Sequence, residues 1–197
     1  MYYQEILAGI GIAIGFVSYA SYFRGIFGGQ TKPHVFSWFI WAVLNITAFF
    51  AQLVKGGGAG AWITATNGTL CLVVAIIALW KGEKNITKKD WYSLLGALAG
   101  IAGWIFTKNP LTAVILVSLT DCFAVYPTFR KAYAKPYEEN AFSFGIDLVK
   151  FTLELIALKS FNLTTALFPV TILINDSLLV GMILARRAGM KVRATGI

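Results

Sequence analysis

Residues 37–52 read SWFIWAVLNITAFFAQ, a segment apolar enough to lie in a bilayer yet carrying two amides and two indoles. At helical spacing Ser37, Trp41 and Asn45 fall at i, i+4 and i+8, with Trp38 and Gln52 flanking that face, so these groups project the same way. An unpaired amide in hydrocarbon costs several kcal/mol, so Asn45 and Gln52 have to point at other helices or at a water-filled cavity. The stripe is therefore either glue between helices or the lining of a polar path.

The whole chain is 57% hydrophobic and 13% charged, against about 25% charged in an average soluble domain, which makes it an integral membrane protein of the all-α class. Windows long enough to cross a hydrocarbon core of roughly 30 Å occur at 6–23, 35–54, 59–80, 91–106, 111–129, 141–158 and 163–184. These seven expected transmembrane helices take up most of the chain and leave no room for a soluble domain. The first reads as a retained span, because Glu5 stands where a signal peptide would have a basic n-region and no small-residue cleavage site follows.

A net charge of +8 would suggest nucleic acid in a soluble protein, but here the charge is sorted by loop. Arg24, Lys32, Lys81, Lys84, Lys88, Lys89, Arg130, Lys131, Lys135, Arg186, Arg187, Lys191 and Arg193 fall on one side of the expected membrane. Lys55, Lys108 and Lys159 fall on the other. Basic loops stay in the cytoplasm, which predicts a cell-membrane protein with its N-terminus outside and its C-terminus inside, the lipid bilayer as a partner and no nucleic acid. The tail at 186–193 reads first as a stop-transfer flank and second as a contact for anionic lipid.

An internal repeat divides the chain. Residues 21–38, SYFRGIFGGQTKPHVFSW, align with 127–144, PTFRKAYAKPYEENAFSF, matching Phe23-Arg24 with Phe129-Arg130 and Ser37 with Ser143. After a two-residue shift, Asn67-Gly-Thr matches Asn175-Asp-Ser. Two triple-helix repeats at 1–82 and 110–188 follow, joined by a linker at 83–109 whose span inverts the chain, with a cytoplasmic tail at 189–197. Both repeats then share one orientation.

This 3-1-3 arrangement resembles the SWEET, PQ-loop and PnuC-type transporters. Tyr126-Pro127-Thr128 sits where PQ-loop proteins carry their Pro-Gln pair, although the Gln is absent and Ser21 replaces the Pro in the first repeat. Asn67 and Asn175 are similar to the paired asparagines that bind sugar in SWEET proteins. Trp38-Phe-Ile-Trp41-Ala-Val-Leu-Asn45 resembles the WxxWxxxN pattern of the nicotinamide riboside transporters, where it lies in the second repeat and not the first. The resemblance implies substrate binding at Trp38, Trp41, Asn45, Asn67 and Asn175, and a hinge at Pro127.

The second repeat adds charge within the expected membrane. Asp147, Lys150 and Glu154 stand at i, i+3 and i+7 of one helix face, Asp121 lies midway along the fifth span, and Asp176 follows Asn175. Ionised groups near a bilayer centre cost about 2.5–3.5 kcal/mol each on insertion scales, so these five have to line a shared interior. The group is either a closed ion-pair network that fixes packing or a polar pathway for charge selection or proton coupling, and since Lys150 neutralises only one of four acids the pathway is favoured.

The expected function is alternating-access transport of a small polar metabolite, a sugar or a nucleoside-like vitamin. Proton-coupled movement of an amino acid or cationic solute stays open, as does a seven-helix receptor or sorting protein without net flux. An enzyme is disfavoured because His34, expected at the membrane interface, is the only histidine. Cys71 and Cys122 read as small buried hydrophobes, so no metal, disulfide framework or cofactor is implied. Glycines 56, 57, 58 and 60 follow Lys55 but lack the strand and GKS/T pattern of a phosphate loop, and read as a tight turn. The expected partners are the small-molecule substrate and a possible second copy of the chain.

Overall fold

The computed structural model describes residues 2–107 and 109–195, so Lys108 lies outside the described residues. Among these residues the chain forms seven α-helices and no strand: α1 (Tyr2–Phe27), α2 (Val35–Val54), α3 (Ala61–Lys81), α4 (Lys88–Thr107), α5 (Pro110–Ala134), α6 (Ala141–Ala157) and α7 (Leu163–Thr195). Five are long and apolar enough to cross a membrane: α1, α2, α3 with the short turn before it, α5, and α7. The others are α6, only 17 residues long and carrying Asp147, Lys150 and Glu154, and α4, which opens on Lys88-Lys89-Asp90. α7 runs through the basic residues Arg186, Arg187, Lys191 and Arg193 to Thr195.

The surface agrees with a bilayer as solvent. Phe16, Ile76, Leu119, Phe123, Ile156 and Leu178 are exposed on the outside of the bundle, a display of large apolar groups that water would not tolerate. Exposed Trp80, Trp91 and Tyr133 ring one end, and Tyr3 and Trp62 the other, as aromatic residues do at membrane–water interfaces. Cys122 is exposed on this surface, which corrects its reading as a buried hydrophobe.

Local chemistry sets where the helices start. Asn109 caps α5, its Oδ1 accepting from the Leu111 N–H at 2.9 Å, with Pro110 in the first turn where no N–H is needed. Thr87 and Asp90 form a capping box on α4: the Asp90 carboxylate accepts from the Thr87 N–H at 2.7 Å, and the Thr87 hydroxyl accepts from the Asp90 N–H at 3.4 Å. Asn140 caps α6 through the Ser143 N–H and also donates to the Ser21 hydroxyl on α1, which fixes α6 to its neighbour.

Packing follows an exchange pattern. α3 packs against α1 and α2, and α7 against α5 and α6. Across the middle, α1 lies along α6 and α2 along α5, with lesser contacts of α3 on α6 and α2 on α7. α4 sits on α5, with a smaller contact to α2. Small residues set the closest approaches. A Cβ at Gly68 would lie 2.9 Å from the Asn45 Cβ, so only glycine lets α2 and α3 come this near. A Cβ at Gly60, just before α3, would likewise meet the backbone at the end of α6, 3.0 Å from the Glu154 carbonyl oxygen.

Candidate functional site

The polar face of α2 turns inward. Between α1, α2, α3, α5, α6 and α7 lies a narrow cavity lined by Tyr19, Trp38, Trp41, Asn45, Asn67, Cys71, Asp121, Val125, Phe144, Asp147, Phe151, Ile172, Asn175 and Asp176. Eight of the ten expected binding and charge-coupling residues are among them; Lys150 and Glu154 are not. Most of the lining falls into pairs separated by 106 residues: Tyr19 with Val125, Trp38 with Phe144, Trp41 with Asp147, and Asn45 with Phe151. Asn67 and Asn175 complete the set at the shifted spacing of 108. Centres of water-sized molecules have about 30 Å³ here, room for roughly two waters at 10–15 Å³ each. The cavity's two indoles pack together: Trp38 stands edge-on to Trp41 at 5.2 Å and tilted on Tyr22 at 4.7 Å.

The matched asparagines differ in surroundings. Asn67 is fully engaged: its Oδ1 accepts from Lys150 Nζ at 2.7 Å and Tyr19 Oη at 3.0 Å, while its Nδ2 donates to Asn45 Oδ1 at 3.0 Å. Asn175 makes one bond, Nδ2 to Asp121 Oδ2 at 2.6 Å. Lys150 is buried, its stem lying 3.2 Å from where a Cβ of Gly15 would be, and its ammonium sits 2.9 Å from Asp147 Oδ1 and over the rings of Tyr19 and Phe151. Apart from Asp147 Oδ1, which pairs with Lys150, two buried polar atoms of the lining make no hydrogen bond, the indole N–H of Trp38 and Oδ1 of Asp121. Those are the donor and acceptor this cavity leaves open to a guest.

Glu154 stands apart, toward the end where α2 finishes and α3 and α7 begin. Its Oε1 accepts from Thr64 Oγ1 at 2.5 Å and from Gln52 Nε2 at 2.9 Å. Gln52 also donates to the Thr165 carbonyl at 3.1 Å, so four helices meet at this carboxyl. Gln52 thus leaves the Trp38–Asn45 stripe and serves a different cluster. The loops seal the same end, with the Lys159 N–H donating to the Gly57 carbonyl at 3.1 Å and Gly58 holding a φ of +65° that favours glycine.

The opposite end carries the basic loops. Lys131, buried below the surface, donates to the carbonyls of Lys32 at 2.6 Å and Glu138 at 3.0 Å and pairs with the Glu139 carboxylate, which also accepts from Tyr22 Oη. Arg130 grips Asp90 through two nitrogens at 2.9 and 2.7 Å, and Lys135 pairs with Glu83 at 3.1 Å. Burial works to raise the Asp90 carboxyl, but the bonds from Arg130 and Thr87 outweigh it and hold the group below the usual carboxylate range. His34, expected at an interface, is instead fully buried beside Asp90, its Nε2 3.4 Å from Oδ2 and neither ring nitrogen hydrogen-bonded. Burial pushes the imidazole below its ordinary value against the pull of Asp90.

Pro127 lies inside α5, 18 residues past the Asn109 cap and seven before the helix end at Ala134, among the buried residues of that helix. Ser37 is buried with no partner for its hydroxyl, whereas its match Ser143 exchanges hydrogen bonds with Ser18 on α1 at 2.9 and 3.0 Å. Tyr19, Phe144, Phe151 and Cys71 line the cavity without having been expected there. Phe144 and Phe151 carried a signal, since they sit at the repeat positions of Trp38 and Asn45; Tyr19 carried none. Cys71 has a polar role as well as a packing one, with its Sγ 3.1 Å from Tyr19 Oη. No protein family, curated protein or solved structure matched the chain.

Proposed function

We propose that the chain is a transporter built of two triple-helix repeats, α1–α3 and α5–α7, with α4 as the inverting helix between them, and that it moves a small polar solute by alternating access. The observation that carries this reading is the cavity. A pocket lined by paired residues from both halves, with Asp121, Asp147 and Asp176 among them, lies within an apolar bundle. The exchange packing of α1 on α6 and α2 on α5 supports the same two-fold organisation. The basic end faces the cytoplasm on this reading.

The lining favours a solute with a flat, positively charged ring. Trp38, Trp41 and Phe144 offer faces for stacking and cation–π attraction. Asp121, Asp147 and Asp176 outnumber the single cation Lys150, whose ammonium is directed to Asn67 and Asp147. Asn175 and the free Oδ1 of Asp121 serve a hydroxyl or amide, while Asn67 and Asn45 position Lys150 and Tyr19. A pyridinium riboside has this chemistry. The present cavity is too small for one, so loading requires the Trp38–Trp41–Phe144 cluster to move, with Pro127 as the hinge of α5.

Uptake into proteoliposomes of labelled nicotinamide riboside beside sugars, amino acids and neutral nucleosides tests the reading. Saturable uptake of the cationic riboside, lost in Asp176→Asn, is the expected result. Binding without flux of any compound would instead make the protein a receptor. The surplus of acids favours proton coupling as a second reading; Asp147→Asn or Asp176→Asn would then keep exchange of labelled solute and abolish gradient-driven accumulation.

A further inference from the structure

Glu154 and Gln52 are both fully buried, and each has one side-chain oxygen without a partner: Oε2 of the acid and Oε1 of the amide. The orientation of the Gln52 amide is set by its donors, because Nε2 faces two acceptors, Glu154 Oε1 and the Thr165 carbonyl. On the acid, Oε1 carries both incoming bonds, from Gln52 and Thr64, and Oε2 carries none. With the Gln52 hydrogen on the carbonyl side of Nε2 directed to Glu154, the pair has the cyclic acid–amide arrangement, in which the amide C=O lies beside the second oxygen of the acid. Were that acid ionised, two bare acceptors would be buried together, and each unsatisfied buried acceptor is costly.

Among the described residues no cation is in contact with Glu154 to relieve this. Lys150, one turn earlier on α6, is the charged group that acts on Glu154, and its Nζ is held by Asn67 Oδ1 and Asp147. From α2, α3 and α7 the facing groups are Gln52, Thr64 and the Thr165 carbonyl, none of which titrates. α1, packed along α6, brings Gly11 and Gly15 against Leu153 and Lys150. The turn before α3 brings Gly60 to the Glu154 carbonyl. A single hydrogen on Oε2 would satisfy both free atoms at once.

We infer that Glu154 and Gln52 form a proton-binding latch: a proton on Glu154 Oε2, donated to Gln52 Oε1, closes an acid–amide pair that ties α2 to α6, and its loss sets two acceptors against each other and releases that end of the bundle. The latch is separate from the carboxylates of the central cavity. Its consequence for solute movement rests on the alternating-access reading; the protonation does not. On that reading the proton controls access from the side opposite the basic loops.

Two measurements on the full chain in liposomes test it. Infrared difference spectra between acid and alkaline buffer, wild type minus Glu154→Gln, are expected to contain the C=O band of one protonated carboxyl at neutral pH. Its absence, or its disappearance on adding sodium at fixed pH, would overturn the proton site. Thr64→Val removes one of the two donors to Oε1 and is expected to raise the frequency of that band; an unmoved band would assign it elsewhere and overturn the inference even if Glu154→Gln does not fold.

Access is read through Cys71 in the cavity, on a Cys122→Ser background, with a membrane-impermeant thiosulfonate applied to each side in turn. The ratio of labelling rates, wild type over Glu154→Gln, cancels the ionisation of the thiol itself. It is expected to rise roughly tenfold from acid to alkaline buffer on one side only, as loss of the pair would allow. A flat ratio with measurable labelling overturns the latch. No labelling from either side under any condition overturns the transporter reading, while the infrared band still decides the proton site.

Discussion

At the basic end the helices are tied by Lys131, Arg130 and Lys135, each paired with a carboxylate, whereas at the far end one carboxyl, Glu154, takes donors from Gln52 and Thr64 with no cation in contact. Both arrangements join the first half of the chain to the second, since Lys131 and Glu139 reach Lys32 and Tyr22, and Glu154 reaches α2 and α3. The contrast shows two ways to close a bundle in a membrane. Charges can be gathered where water is near, because Arg130 and Lys135 keep part of their hydration there, and the buried Lys131–Glu139 pair is supported by further hydrogen bonds from Tyr22 and to the Lys32 and Glu138 carbonyls. Farther from the basic loops a full ion pair would bring two desolvation costs, so a neutral acid–amide pair does the same joining with one group that titrates.

The largest effect should come from the basic end. Lys131→Met would leave Glu139 buried without its cation, and a loss of about 3–5 kcal/mol in unfolding free energy is expected. Chemical denaturation in detergent micelles measures it. Recovery of most of that loss in Lys131→Met with Glu139→Gln would show that the isolated charge, and not the lost bond, sets the cost.

At the Glu154 end the matching change is smaller. Thr64→Val removes one hydrogen bond to a neutral acid, worth about 0.5–1.5 kcal/mol, against about 1.5–3 kcal/mol if the acceptor were charged. The same denaturation experiment, run at neutral pH, therefore separates the two kinds of closure, and a loss in the upper range would erase the contrast between the ends.

Acid should act on the basic end through His34. Its imidazole is held below the ordinary value in the folded protein, so the unfolded chain takes up a proton first. Stability is then full above the unfolded histidine value of about 6.5 and declines as pH falls below it toward the folded value. His34→Gln should flatten that decline when unfolding is followed across this range. Asp90 works at lower pH: its depressed carboxyl adds stability that is present above the unfolded value of about 3.9 and lost as pH falls through the folded one.

The smallest expected effect is at the surface of the same end. Lys32 and Glu138 pair at 2.9 Å but remain 42% and 26% exposed, so Lys32→Ala should cost about 0–1 kcal/mol and respond to added salt. A larger, salt-insensitive loss would mean that this pair belongs to the buried Lys131 cluster.

Much of the membrane character and part of the cavity were legible in the residues alone. Long apolar windows mark helices wherever they occur, because each spanning segment has to satisfy its own backbone, and α2, α3 and α5 start or end close to where hydropathy put them. An amide or carboxyl in such a window has to face inward, which is why Trp41, Asn45, Asn67, Asp121, Asp147 and Asp176 could be assigned to an interior before any fold was drawn. What they meet there was decided by packing. Asn67 and Asn175 are matched in sequence, yet one is engaged by Lys150 and Tyr19 and the other bonds only Asp121, because partners come from other helices. Gln52 and Glu154 lie 102 residues apart, His34 before α2 and Asp90 on α4 are 56 apart, and no local spacing announces either contact. Sequence thus determines which groups cannot face lipid; only the tertiary structure decides which of them satisfy one another and which are left with an unpaired atom.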